Sequence, residues 1–254
     1  MVRGLDIFQK WFENYSDNYI IIGGAACDAA LSNTGFTPRA TKDFDIILNV
    51  EALSDDFVRH FWNFIKKGNY QKREQETQGR NAYRFTNPTE HTFPTQIELF
   101  SRKPDALSVP DDLHITTIPT DEGLSSLSAI LLDDNYYHFT LKHSYISDGV
   151  HYAEIESLIC LKAYAYLSNK QLKESGIHVD SVNIEKHKND IFRLLPLLPA
   201  NKEIALPDTI RNDMRNFAQT IKDNLPTSQI LTQAGFVNLT PEDMYQNLLS
   251  IFKI

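Results

Sequence analysis

The sequence predicts an α/β fold in which helices flank a mixed sheet and a helical region follows. Between Tyr19 and Val50, an apolar run, two glycines, a small-residue stretch, a polar segment and a second apolar run indicate a strand, a turn, a helix, a loop and a strand. Strand-like runs recur until about Gly149, and helical periodicity then continues to the C-terminus. We therefore predict a sheet-containing domain of residues 1–150 and a helical domain of residues 151–254.

Composition narrows the class of protein. The chain has 254 residues, 42% of them hydrophobic, so it can bury a sizeable core. Its formal net charge of −8 argues against a generally basic surface, so an RNA partner would need a local basic patch. Cys27 and Cys160 lie in apolar helical patterns, which favours buried thiols over a zinc site or a disulfide. Without a signal-peptide pattern or an apolar run near the ~18 residues of a membrane span, we expect a cytoplasmic protein with no membrane partner.

The elements of the N-terminal half follow from periodicity. Apolar residues at helical spacing predict an amphipathic first helix that ends near residues 17–18 and another from about Ser54 to Lys67. Neighbouring strands are expected at residues 82–85 and 95–100. From Lys103 to Asp121 prolines and acidic residues dominate, apart from a short apolar stretch, and we assign no structure there.

A β-hairpin is predicted where apolar runs over residues 127–132 and 136–141 flank the turn residues Asp133-Asp134-Asn135. The rest of the chain shows helical periodicity. The expected helices cover about residues 154–168, 183–195, 207–224, 228–235 and 241–252. Ser181 and Thr240 are candidate N-cap residues, and a proline follows Thr240 at the first helical position.

Two acidic residues, Asp43 and Asp45, begin the second predicted strand. Because side chains alternate along a strand, both carboxylates project from one face, while Phe44 and Ile46 project from the other into a core. Paired carboxylates suit Mg²⁺, a hard cation that prefers oxygen ligands. Taken alone, the same pattern is also common as simple capping or solvation at the start of a strand.

Gly23 and Gly24 lie between the first strand and the following helix. Because glycine carries no Cβ, a phosphate chain can approach the backbone closely, and the helix that begins at Ala25 would offer free N–H groups and the positive end of its dipole. An ordinary turn is the alternative for a diglycine alone. Together, the turn and the carboxylate pair indicate a site for a nucleoside triphosphate (NTP) bound with Mg²⁺ or Mn²⁺.

The order of these features carries a resemblance. The chain resembles the nucleotidyltransferase superfamily of the polymerase-β type. The resemblance lies in the order Gly23-Gly24, a helix, the segment Arg39-Ala40-Thr41-Lys42-Asp43-Phe44-Asp45 and an apolar strand. Within it, the chain is similar to the AbiEii/AbiGii-type toxin nucleotidyltransferases. The resemblance implies a nucleotidyltransferase-type mixed sheet and a third carboxylate in a later apolar strand, which Glu98 supplies.

Two helical signatures of the toxin branch also occur. Lys162 is followed by apolar residues, and residues 186–194 match K-H-x-x-D-h-x-x-L with Asp190 at its centre. The resemblance thus extends from about Tyr19 to Leu194 and implies a role for each matching residue. The implied metal ligands are Asp43, Asp45 and Glu98; the nucleotide-binding residues are Gly23, Gly24, Arg39, Thr41 and Lys162; the catalytic residues are Asp43, Asp45, Glu98, Lys162 and Asp190.

The resemblance implies a metal-dependent enzyme that transfers a nucleoside monophosphate from an NTP such as ATP to an acceptor hydroxyl. A toxin-like member would act on an acceptor such as tRNA and would be neutralised by a cognate antitoxin protein. Two other functions stay open. A small-molecule nucleotidyltransferase of the aminoglycoside-modifying kind is compatible with the charge of −8, and a catalytically degenerate nucleotide-binding protein is favoured if Glu98 faces away from Asp43.

Several candidate residues also have purely structural alternatives. Glu98 could face solvent on a half-exposed sheet. Lys162 lies in the apolar stripe of its helix, so its ammonium group reaches either water or a buried anion. Asp190 follows Lys186 by four residues, so the two could form only a surface ion pair. Arg39 could bind a phosphate or merely brace its own loop.

Overall fold

Nine strands form one mixed sheet in the part of the chain that the structure describes. That part of the computed structural model comprises residues 2–75, 81–102, 115–118 and 127–254. Helices flank the sheet, and a helical region follows it. The predicted α/β fold class is therefore confirmed.

The described elements have the following bounds. The strands are β1 (Tyr19–Ile22), β2 (Asp43–Leu48), β3 (Gln71–Gln75), β4 (Asn81–Thr86), β5 (Gln96–Ser101), β6 (Ile115–Ile118), β7 (Leu127–Leu131), β8 (Ser144–Ser147) and β9 (Val150–Ala153). The helices are α1 (Leu5–Phe12), α2 (Gly23–Asn33), α3 (Asp55–Gly68), α4 (Asp134–Lys142), α5 (Ile155–Glu174), α6 (Ser181–Leu194), α7 (Asp208–Ile221), α8 (Gln229–Ala234) and α9 (Pro241–Phe252).

The strand order places β2 inside the sheet. Across the sheet the strands run β3-β4-β7-β5-β2-β1-β9-β8, with β6 paired to β7 and β4 also paired to β5. β2 is parallel to β5 and antiparallel to β1. β2 therefore has a hydrogen-bonded neighbour on each side, which fixes the register of the acidic residues that it carries.

The chain forms two compact units. The sheet unit comprises Met1–Ala26 and Ala40–Ala153, and the helical unit comprises Cys27–Arg39 and Glu154–Ile254. All nine described strands belong to the sheet unit, and α5 to α9 belong to the helical unit. The division into domains of residues 1–150 and 151–254 stays a prediction.

Aromatic side chains from α1, α3 and β2 form a core in the sheet unit. The Phe8 ring centroid lies 5.3 Å from that of Phe44 and 5.8 Å from that of Phe64. Phe44 is fully buried, whereas its neighbour Asp43 is exposed and Asp45 is partly buried. Because side chains alternate along β2, the burial of Phe44 in this cluster directs both aspartates to the opposite face.

The helical unit has its own apolar core. α5 packs against α6 and α7, and α7 against α9. Leu158, Ile191 and Phe217 are completely buried within it, and the rings of Tyr166 and Phe217 meet edge to face at 5.3 Å. Among the described residues, no helix combines the length and the apolar character that crossing a membrane requires.

The predicted hairpin around Asp133 is wrong. β7 ends at Leu131, and residues 134–142 form α4, with the Asp133 side chain accepting a hydrogen bond from the Asn135 N–H as its N-cap. Tyr136, Tyr137, Phe139 and Thr140 are buried, a spacing that fits one helical face and not strand alternation. The hairpin of the region is instead β8–β9, which continues the sheet beyond Gly149.

Other boundaries also differ from the predictions. The first helix ends at Phe12, and a separate 3₁₀ turn covers Ser16–Asn18. The N-cap of α6 is Asp180 and not Ser181, because the Asp180 carboxylate accepts the Val182 N–H. Within the stretch from Lys103 to Asp121, residues 115–118 form β6, and the remainder lies outside the described residues.

Thr240 provides a test of local stability. Its side chain accepts a hydrogen bond from the Asp243 N–H at 3.1 Å as the N-cap of α9. We expect Thr240→Ala to lower the free energy of unfolding by about 1 kcal/mol, because one N–H at the helix start loses its acceptor. Urea unfolding would measure the change. The matched control is Ser228→Ala, since Ser228 is exposed and makes no capping hydrogen bond in the described structure; an equal loss in both variants would contradict the role of Thr240.

Candidate functional site

Strand register brings Asp45 and Glu98 together. β2 and β5 are parallel, with Asp45 opposite Glu98 and Asp43 opposite Gln96. Residues opposite each other on neighbouring strands project from the same face, and such strands lie about 4.8 Å apart. The two carboxylates are thus lateral neighbours on the face that carries Asp43. Glu98 therefore does not face away from the aspartates.

The first residue of α2, Gly23, contacts the same carboxylate. The predicted diglycine turn before a helix at Ala25 is wrong, because β1 ends at Ile22 and both glycines lie within α2. Gly23 has a φ of +65°, and a Cβ placed on it would lie 1.9 Å from Oδ2 of Asp45. Any side chain there would clash with the carboxylate and would also strain the backbone. Glycine at this position therefore lets Asp45 lie directly against the first residue of α2. Gly24 follows within α2, and Thr41 lies half-buried in the segment before β2.

Glu98 has a counter-ion on the adjacent strand. Arg84 on β4 stands opposite Glu98 in the antiparallel pairing of β4 with β5. Its Nε donates to Oε1 of Glu98 at 2.9 Å, and its Nη2 donates to the same oxygen. Glu98 is only 8% exposed, so this pair compensates a charge that is largely withdrawn from water. The solvent-facing alternative for Glu98 is therefore wrong.

The donor set of this face suits a hard divalent cation. Asp43 and Asp45 offer carboxylate oxygens, which Mg²⁺ and Mn²⁺ accept. In the described structure the ligand atoms of Asp43, Asp45 and Glu98 do not all lie within 4.8 Å of one another. Asp43 is exposed and Asp45 is partly buried, so both can be reached from solvent. A metal ligand set on Asp43 and Asp45 is chemically consistent with these positions.

A second ionic cluster lies in the helical unit around Asp190. Asp190 is 2% exposed. Its carboxylate accepts from Nζ of Lys162 at 2.8 Å, from Nε of Arg39 at 2.8 Å and from Nη1 of Arg193 at 3.2 Å. A second Arg39 nitrogen, Nη2, donates to the other Asp190 oxygen at 3.0 Å, which makes this pair two-pronged. One buried carboxylate therefore holds three cations from three segments of the chain.

Charge compensation sets the protonation of this cluster. Burial alone would raise the pKa of Asp190, but Lys162 and Arg39 outweigh it and hold the pKa well below its usual range. Burial alone would lower the pKa of Lys162, but the charge of Asp190 and the hydrogen bond to its carboxylate raise it. Both groups are therefore charged at neutral pH. Burial raises the pKa of the Cys27 thiol to about 11, so the thiol is neutral.

These contacts decide between the sequence-level alternatives for the helical unit. The surface ion pair of Asp190 with Lys186 is wrong, because Asp190 is buried and pairs with Lys162, Arg39 and Arg193. Lys162 does reach a buried anion, and that anion is Asp190. Arg39 likewise binds a protein carboxylate, 151 positions along the chain.

The candidate residues fall into two groups according to the unit that holds them. Gly23, Gly24, Thr41, Asp43, Asp45 and Glu98 belong to the sheet unit, whereas Arg39, Lys162 and Asp190 belong to the helical unit. Within each unit the structure brings residues together: Gly23 with Asp45 and Glu98, and Arg39 with Lys162 and Asp190.

Sequence reasoning missed two partners of these groups, Arg84 and Arg193. Arg84 stands between apolar residues in its strand, as Glu98 does. A lone basic residue in one apolar strand and a lone acid in the next is a signal that could have predicted their pairing. Arg193 follows Asp190 by three residues, and this helical spacing could have revealed the contact.

Comparisons with known proteins give distant likenesses. No protein-family model matches the chain, and no curated protein matches it. Among solved structures, JHP933 from Helicobacter pylori is similar over 98% of this chain and 87% of its own, at 11% identity and a TM-score of 0.39. A "putative nucleotidyltransferase from H. pylori" is similar over 97% and 88%, at 10% identity and a TM-score of 0.39. Likenesses at this level establish neither family membership nor activity.

Replacing Asp190 tests how far the stability of the helical unit depends on this carboxylate. We expect Asp190→Asn to lower the free energy of unfolding by about 3–5 kcal/mol, because the buried ammonium of Lys162 loses its counter-charge while the shape is kept. Urea unfolding at pH 7.5 would measure the change. Glu174→Gln is the control, since Glu174 pairs with Lys170 on the surface and should cost less than about 0.5 kcal/mol. A similarly small loss for Asp190→Asn would contradict the structural importance of the cluster.

His187 should make stability depend on pH. Burial, with help from the positive charges of Lys162 and Lys186, lowers its pKa to about 3. Between pH 6.5 and pH 3 the unfolded chain therefore binds a proton that the folded chain does not, so stability falls as the pH falls. From pH 6.5 to pH 5 this residue should remove about 1.5 kcal/mol.

The comparison of wild type with His187→Gln by urea unfolding at pH 7.5, 6.5 and 5 tests this effect. The variant should lose less stability than the wild type on acidification, because glutamine takes up no proton. His178→Gln is the matched control, since His178 is exposed. Parallel pH profiles for wild type and His187→Gln would contradict the prediction.

Proposed function

We propose that the chain is a nucleotidyltransferase that transfers a nucleoside monophosphate from an NTP to an acceptor hydroxyl, with Mg²⁺ or Mn²⁺ as cofactor. One observation supports this proposal above the others: the Asp45 carboxylate lies against Gly23 at the start of α2 and is a lateral neighbour of Glu98. A metal-bound triphosphate needs carboxylates that bind the metal and, close to them, backbone N–H groups that can bind phosphate oxygens.

The chain's own residues would act mainly by position and charge. The Asp45 carboxylate fills the space beside Gly23, so a metal ion held by Asp45 would bring the phosphate oxygens to the start of α2, where the N–H groups of the helix favour negative charge. Asp43 and Asp45 would hold the metal ion. When bound, such an ion would offset the negative charge of the phosphates and polarise the reacting phosphoryl group. Transfer of this kind leaves the protein little covalent work, so most of the acceleration would come from orientation and electrostatics.

The proposal considers two alternative roles for Glu98. It would either complete the ligand set of the metal or accept the proton of the acceptor hydroxyl. By resemblance, Arg39, Thr41, Lys162 and Asp190 also take part in nucleotide binding or catalysis. For Lys162, such a role has to include Asp190, to which its ammonium is bound.

The finer part of the proposal concerns the acceptor. The resemblance to AbiEii/AbiGii-type proteins supports a toxin-like enzyme that modifies tRNA and is neutralised by an antitoxin protein. A small-molecule acceptor is the second candidate, because a chain with a net charge of −8 suits a cationic substrate. The lateral pairing of Glu98 with Asp45 speaks against a degenerate nucleotide-binding protein.

The activity can be tested by incubating the protein with each α-labelled NTP, Mg²⁺ and total tRNA. We expect label to enter RNA, and the double variant Asp43→Asn/Asp45→Asn to lose at least about 100-fold in rate, because it removes the charges that hold the metal. Denaturing gel electrophoresis would measure the transfer.

The control for this experiment is Asp134→Asn, which removes an exposed carboxylate at the start of α4 and should leave the rate unchanged. Label on an added aminoglycoside but not on RNA would favour the small-molecule enzyme. Unchanged labelling by the Asp43→Asn/Asp45→Asn variant, with a wild-type circular dichroism spectrum, would overturn the assignment.

A further inference from the structure

Uncharged polar side chains extend the sheet face that carries the acidic residues. Asp43 stands opposite Gln96 on β5, and Gln96 stands opposite Thr86 on β4. Thr86 in turn stands opposite Gln71 on β3. Because residues opposite each other project from the same face, these side chains form one row along the rim of the sheet where β2, β3 and β5 begin and β4 ends. The row therefore borders the candidate metal site on its β5 side.

The middle of this row is available to a ligand. Gln96 and Thr86 are half-buried, and neither side chain makes a hydrogen bond to a residue that the structure describes. Gln71 differs, because its Oε1 accepts a hydrogen bond from Nδ2 of Asn87 at 3.1 Å. An amide and a hydroxyl each donate and accept hydrogen bonds without carrying charge. Gln96 and Thr86 therefore suit a neutral ligand with hydroxyl groups better than a phosphate chain, which favours cations.

The position of α2 decides which substrate reaches this row. β1, which leads directly into α2, lies on one side of β2, and β5 and β4 lie on the other. In the proposed reaction the phosphates of the NTP lie at the start of α2, so pyrophosphate leaves on the β1 side. The attacking and the leaving oxygen are roughly in line in such a transfer. The acceptor hydroxyl therefore approaches from the β5 side, past Glu98 and Gln96.

We propose that Gln96 and Thr86 bind the sugar of the acceptor, through the hydroxyl next to the one that is modified. Neighbouring strands lie about 4.8 Å apart, so Gln96 and Thr86 lie one and two spacings from Asp43, within reach of one sugar ring beside the metal. Gln71 lies three spacings away, beyond this ring. The terminal ribose of an RNA and a sugar of a small molecule both offer such hydroxyls. The inference rests on the proposed function and names the residues that hold its acceptor.

Steady-state labelling with Mg²⁺, an α-labelled NTP and tRNA tests the inference. We expect Gln96→Met to lower kcat/KM for tRNA about 5- to 10-fold, because a side chain of similar length replaces the amide and makes no hydrogen bond. KM for the NTP should stay within about 2-fold, since the nucleotide does not touch this row. Thr86→Val should act in the same way. Gln71→Met is the matched control, because it removes an amide from the same rim and should leave both values unchanged.

An acceptor without the neighbouring hydroxyl separates a contact with the sugar from a structural role. On tRNA whose terminal ribose lacks this hydroxyl, Gln96→Met should cost less than about 2-fold, because the amide has already lost its partner. Filter binding of both tRNAs with a non-hydrolysable NTP analogue gives the same comparison without turnover. If label enters an added aminoglycoside and not RNA, the comparison uses aminoglycosides with and without a hydroxyl beside the labelled one.

The outcomes separate the two proposals. An unchanged kcat/KM for the acceptor in either folded variant, a raised KM for the NTP, or an undiminished penalty on the deoxy acceptor would overturn the sugar site and leave the transferase assignment in place. An equal loss in Gln71→Met would also overturn it, because the effect would then belong to the rim as a whole. Absence of transfer by the wild type would overturn the proposed function, and the sugar site with it. If one variant fails to fold, as circular dichroism would show, the other decides the question.

Discussion

The parallel pairing of β2 with β5 is the constraint on which the candidate site depends. It places Asp45 opposite Glu98, while the antiparallel pairing of β1 with β2 places Ile22, the residue before Gly23, opposite the same aspartate. A slip of one residue would move every side chain of β2 to the other face, sending Phe44 out of its aromatic cluster and the aspartates into it. The apolar core therefore enforces the position of the acids.

Charge compensation is the second theme of the structure. In the sheet unit a largely buried glutamate is held by Arg84, and in the helical unit a buried aspartate is held by Lys162, Arg39 and Arg193. Such pairs add little net stability to a fold, because the desolvation of both ions offsets much of their attraction. Their cost is reasonable where they hold a carboxylate in the orientation that chemistry requires, and this is the use that we propose for Glu98.

Three segments differ from the structure that their sequence predicts, each for a local physical reason. Apolar runs on both sides of Asp133-Asp134-Asn135 predict a hairpin with a strand at residues 136–141, but the Asp133 N-cap and the buried aromatic face make these residues a helix. The α6 boundary was displaced by one residue, because Asp180 and Ser181 are both good N-caps and only the backbone conformation selects between them. The strand β9 was missed because it is short and lies next to a long helix.

Local patterns alone determined the fold class, the acidic pair on one strand face and the importance of the glycines after β1, because strand alternation and the lack of a Cβ act within a few residues. The family resemblance added Glu98, Lys162 and Asp190, of which Glu98 and Lys162 stand among apolar residues in the sequence. Only the tertiary structure decided the partners of these charges. Glu98 meets Arg84 from 14 positions away, and Asp190 meets Lys162 from 28 and Arg39 from 151. Strand register and helix packing bring these residues together, and no local periodicity in the sequence predicts such contacts.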